Sequence, residues 1–105
     1  CVRDVKIEII ATGGIRNGVQ VAKALSLGAS CCGIALPLLE KALQGPGEVV
    51  QELARIIDEL RTAMFLVGAE SIGELKKSNV IIMGGTREWL EARGIDCKEY
   101  ANRRR

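Results

Sequence analysis

Residues 11–18 read Ala-Thr-Gly-Gly-Ile-Arg-Asn-Gly (ATGGIRNG), and the reading of this stretch decides the fold. It follows Val5–Ile10 (VKIEII), whose last residues are uninterrupted aliphatics, as in a strand of a parallel sheet buried on both faces. It precedes VQVAKALSL, where Val19, Ala22 and Leu25 fall on one helical stripe and Gly28 stands at the C-terminal stop. A second aliphatic run, Cys31–Leu36 (CCGIAL), reads as the next strand, followed directly by a turn at Leu36-Pro37. Strand, helix and strand with so short a crossover make a βαβ unit.

Working outward, QGPG at 44–47 is a loop. From Glu48 to about Val67 the apolar positions Val49, Val50, Leu53, Ile56, Ile57, Leu60, Met64 and Val67 define a long amphipathic helix that Gly68 ends. Its apolar face is wide, with little in the chain to receive it. Ser71 and Glu74 form a capping box for a short helix bearing Ile72 and Leu75. VIIM at 80–83 is a short apolar segment, and Thr86 is read as the cap of a last helix, REWLEAR, ending at Gly94. Residues 1–67 thus read as two βα units and 68–105 as a helical extension of the same domain.

The bulk composition narrows the function classes. The chain has 105 residues, 48% hydrophobic and 27% charged, so it is a globular domain near the small end of the usual range. A net charge of +2 and 3% aromatics give neither an electrostatic surface nor a stacking platform for nucleic acid, and no nucleic-acid partner is expected. The basic end Arg103-Arg104-Arg105 reads as a solvated terminus. No apolar run reaches the ~20 residues of a membrane span, so no membrane partner and a cytoplasmic setting are expected. The four cysteines, Cys1, Cys31, Cys32 and Cys97, lack C-x-x-C spacing, and histidine is absent, which argues against a structural zinc site. Cys31 and Cys32 read as small buried hydrophobes on opposite faces of a strand.

Two adjacent glycines let a backbone turn through positive φ and admit a ligand where a Cβ would clash. Successive N–H groups in such a turn can converge on an anion, and Arg16 adds a permanent planar cation suited to phosphate oxygens. Thr12 could add a hydroxyl. On these residues alone, an ordinary strand-to-helix turn with a solvent-facing arginine and an anion cradle both remain open. The second turn favours the cradle, because ligands of parallel α/β folds gather where strands end. The small side chain of Ala35 would leave the amides of that turn accessible, while Leu36 reads equally well as core packing.

Taken together, IIATGGIRNGVQVAKALSLGA, GIALPLL, AMFLVGA with SIGELKK, and TREWLEARGID resemble the C-terminal part of the type 2 isopentenyl-diphosphate isomerase family, in the same order and over nearly the whole chain. The resemblance implies an α/β fold, the last two strand–helix units of an FMN-binding (β/α)8 TIM barrel. It implies that Gly14, Ile15 and Arg16, with Ala35 and Leu36, hold the FMN phosphate, and that Thr12 and Gly13 shape the turn. It also implies interconversion of isopentenyl diphosphate and dimethylallyl diphosphate, with NADPH reducing the flavin and Mg²⁺ on the substrate diphosphate. Separately, a pair of strands with uncovered edges invites self-association, so a homo-oligomer is expected.

In that family the substrate-binding His, Arg, Lys and Gln residues and the Mg²⁺-binding carboxylate lie on earlier strands. The 105 residues alone are therefore expected to be inactive, with no catalytic and no metal-ligating residue of their own. The alternatives are a non-catalytic phosphate- or flavin-binding module, or the tail of another FMN-dependent barrel oxidoreductase, since the G-G-I-R block occurs in those too.

Overall fold

The computed structural model of the chain describes residues 7–102. Its elements run β1 (Ile10–Ala11), α1 (Gly18–Ser26), β2 (Cys31–Cys32), α2 (Leu36–Ala42), α3 (Pro46–Leu66), α4 (Ile72–Lys76), α5 (Gly84–Ala92) and α6 (Lys98–Ala101). The two strands are parallel, Ile10 opposite Cys31 and Ala11 opposite Cys32, with α1 as the crossover. The βαβ reading therefore holds, but within a small, mostly helical α/β unit. Both strands are shorter than VKIEII and CCGIAL predict. Flanking bonds lengthen the ladder at each end, from the Ser30 N–H to the Ile9 carbonyl and from the Gly33 N–H to the Ala11 carbonyl, both 2.8 Å. Val5 and Lys6 of the first predicted strand lie outside the described residues, as does the basic end.

The second strand ends early because α2 begins at Leu36, a helix not anticipated. Pro37 sits in its first turn, where its fixed φ suits a helix and its missing N–H costs nothing. Leu36 is thus the first residue of a helix, not the last of a strand. Cys31 is also corrected: it is exposed, while Cys32 is half-buried with Sγ 3.9 Å from the Val21 carbonyl and Cys97 is buried. Burial and the neighbouring Cys31 push the Cys32 thiol up.

Asn17 caps α1, its Oδ1 accepting the Gln20 N–H at 2.9 Å. Residues 18, 21, 22 and 25 form the inward stripe, so Val21 takes the buried place expected of Val19, which lies about 160° away round the helix. The core joins Val21, Ala22 and Leu25 of α1 to Ile56 of α3 and Leu75 of α4, with Ala69 between the last two helices; Ile15, Cys32, Ile34 and Leu60 pack against it. Where α1 meets α3 the backbones touch: a Cβ on Gly18 would lie 2.3 Å from both the Ile56 carbonyl oxygen and the Leu60 nitrogen.

Helices α1, α3 and α5 end alike. Gly28, Gly68 and Gly94 adopt positive φ, and the next residue donates back to Ala24, Met64 and Leu90 respectively. This is the Schellman closure that satisfies carbonyls left open at a helix end. Ser71 caps α4 as expected, accepting the Glu74 N–H at 3.2 Å. By contrast α5 starts before Thr86, with Met83 at the cap position and Thr86 inside the first turn. The VIIM segment forms no strand; its Val80 N–H donates to the Tyr100 carbonyl at 2.6 Å. Among the described residues no helix is long and apolar enough to cross a membrane.

Candidate functional site

Because β1 and β2 run parallel and in register, their C-terminal ends emerge side by side. The two following loops enclose a cleft of about 200 Å³ lined by Thr12, Gly13, Gly14, Ile15 and Arg16 from one turn and Gly33, Ala35, Leu36 and Pro37 from the other. All seven residues singled out from the sequence lie around this one cleft. Gly33 and Pro37 were not singled out. Pro37 carried a legible signal, as a proline opening a helix; Gly33 carried none, because its reason lies across the sheet. A Cβ there would meet Thr12 Oγ1 at 3.0 Å and Thr12 Cβ at 3.2 Å.

Thr12 braces the two loops, its hydroxyl donating to the Gly33 carbonyl at 3.3 Å. Gly13 and Gly14 have φ of +90° and +81°, the left-handed region that favours glycine. Among the described residues, nothing beyond their chain neighbours comes within 4 Å of a Cβ built on either, so the space in front of them is open. Among the described residues, the N–H groups of Gly13, Gly14, Ile15, Ala35 and Leu36 meet no protein acceptor. Ile15 anchors the turn on the core. Next to it, Arg16 is exposed and has no carboxylate partner among the described residues.

The Arg16 backbone is held from two sides. Its N–H donates to Gln20 Oε1 at 2.6 Å, and its carbonyl accepts from Arg55 Nη2 at 3.3 Å. Arg55 in turn pairs with Glu52 and, through Nη1 at 2.6 Å, with Glu59 Oε1. Its fork holds the Glu52 carboxyl below the usual carboxylate range.

The cleft thus gathers unpaired amides, a cation and open space, and its lining includes no Asp, Glu, His or Cys. That donor set can bind and orient an anion; it holds no group suited to general acid–base or nucleophilic work. Among the described residues no cluster of His, Cys, Asp and Glu could hold a metal ion. A larger depression of about 780 Å³ runs along α3, with Val19, Ala54, Ala63, Leu66 and Val67 as its apolar wall and Asp58 and Glu59 among its charges. Its carboxylates make it unsuited to phosphate.

The chain is similar over most of its length to known proteins of one name. The chain is 54% identical over 102 residues to an isopentenyl-diphosphate delta-isomerase of Methanothermobacter thermautotrophicus, covering 97% of this chain and 29% of that protein. It is 52% identical over 100 residues to the protein of that name from Thermococcus kodakarensis, covering 94% and 26%. For the one from Methanocaldococcus jannaschii the identity is 49% over 85 residues, covering 81% and 24%. The chain therefore spans about a quarter of the length of the curated relatives it matches. A family model described as FMN-dependent dehydrogenase matches residues 1–82, and the chain belongs to that family.

Proposed function

We propose that this chain is the phosphate-holding part of an FMN-dependent type 2 isopentenyl-diphosphate isomerase, with β1–α1 and β2–α3 as the last two strand–helix units of its (β/α)8 barrel. The amides of Gly13, Gly14, Ile15, Ala35 and Leu36 and the Arg16 guanidinium hold the terminal phosphate of FMN, while Thr12 fixes the spacing of the two loops. The observation that carries this reading is the meeting, in one cleft, of amides and an arginine that have no acceptor or carboxylate partner among the described residues. The names of the relatives favour the isomerase over another FMN-dependent enzyme. The loops after the last two strands of such barrels frequently form a phosphate site.

FMN, when bound and reduced, supplies the proton-transfer chemistry that moves the double bond between isopentenyl and dimethylallyl diphosphate. This chain's residues hold and orient the cofactor. Arg16 neutralises the phosphate through a planar fork, the amides fix its oxygens, and Ile15 ties the whole turn to the core. NADPH as reductant and Mg²⁺ on the substrate diphosphate belong to the same proposal, but among the described residues the cleft carries no carboxylate for the metal.

The test is titration of the chain with FMN and with inorganic phosphate. FMN should bind at least about tenfold tighter than phosphate, and Arg16→Ala should weaken FMN by roughly 10- to 100-fold, the worth of one charge-assisted contact. Equal, weak binding of both ligands would favour a generic anion nest. Undiminished FMN affinity in Arg16→Ala would overturn the cradle.

A further inference from the structure

Resting on that reading, we propose that Glu59, acting with Arg55, is a positioning residue of the phosphate cradle: it sets the backbone of residues 16–18 without touching the ligand. The loop that carries Arg16 is fastened to α3 at two points. Gly18 donates its N–H to Glu59 Oε1 at 3.3 Å, and the Arg16 carbonyl accepts from Arg55 Nη2 at 3.3 Å. The same Glu59 Oε1 accepts Arg55 Nη1 at 2.6 Å, so one carboxylate oxygen ties the loop directly and also aims the arginine that ties it a second time. Glu52 lies three residues before Arg55 and Glu59 four residues after it along one face of α3, so Arg55 is gripped between two carboxylates. The absence of a side chain at Gly18 is what lets α3 come close enough for these bonds.

Electrostatics and positioning make opposite demands here. A carboxylate near an anion site repels the anion, so removal of Glu59 should tighten binding if the residue were a bystander. If it positions the loop, removal should loosen binding. Alanine keeps the Cβ and favours the helix, so α3 is preserved. We expect Glu59→Ala to bind FMN roughly fivefold more weakly, with riboflavin affinity unchanged, since riboflavin lacks the phosphate. Glu59→Gln retains the acceptor oxygen and should restore FMN affinity to within about twofold. In the flavin-free protein, amide exchange at Arg16 and Gly18 should be faster in Glu59→Ala by a similar factor. FMN affinity that is unchanged or improved in Glu59→Ala, or an equal loss for FMN and riboflavin, would overturn the positioning role and leave the cradle standing. A wild-type protein that binds FMN no better than riboflavin would instead overturn the cradle itself, and this role with it.

Discussion

At Gly18 the contact between α1 and α3 leaves no room for a side chain, whereas at Gly14 the space is open and only the backbone conformation demands glycine. Substitution by alanine should separate these causes. Gly18→Ala forces two backbones apart and should cost about 2 kcal/mol or more in a urea melt, while Gly14→Ala should cost only the 1–2 kcal/mol of a left-handed backbone. Equal costs would contradict this assignment. The difference was not legible in ATGGIRNG, where both glycines look like turn residues. The partner that decides Gly18 lies on α3, Glu59 being 41 residues away along the chain. Thr12, Gly13 and Gly14 were legible, because local backbone geometry is written locally. The bracing bond from Thr12 to Gly33 spans 21 residues and was not.

Among the elements, the helix ends were the easiest part of the sequence to read. Ser71 with Glu74 marks the start of α4, and Gly28, Gly68 and Gly94 close the helices before them, because caps are satisfied within a few residues. Ser71→Ala removes an N-cap acceptor and should cost about 1 kcal/mol, seen as a lower midpoint in thermal denaturation. The start of α2 was missed since Leu36-Pro37 fits the end of a strand as well as the first turn of a helix. On α3, the Glu52–Arg55 pair carries a pH signature. The folded carboxyl titrates below its ordinary value, so its contribution is complete above about pH 4.3 and is lost as pH falls through the lower folded value. Stability should fall with acidification in that window, and Glu52→Gln should flatten the slope. Because Arg55 is exposed, added salt should shrink the effect.

For the whole molecule, the wide apolar face of the long helix was legible from its spacing, but its outcome was not. Of that face α3 buries only Ile56, and Val50 and Ile57 remain 66% and 47% exposed. Among the described residues the two strands also leave unpaired edges on either side of the sheet, a template for pairing with another chain. Self-association is therefore expected, and light scattering at rising concentration should give a mass above that of one chain; a clean monomer would contradict it. The cleft at the strand ends depends on the β1–β2 register, on the two turns and on the α3 contacts that hold residues 16–18. The proposed role of this cleft is to hold the phosphate of FMN. It is tested most directly by amide ¹H–¹⁵N spectra recorded as FMN is added. The largest shifts should fall on Gly13, Gly14, Ile15, Arg16, Ala35 and Leu36, and should be absent with riboflavin. Shifts confined to the α3 depression, at Val19, Ala54, Ala63 and Leu66, or none at the two turns, would contradict it.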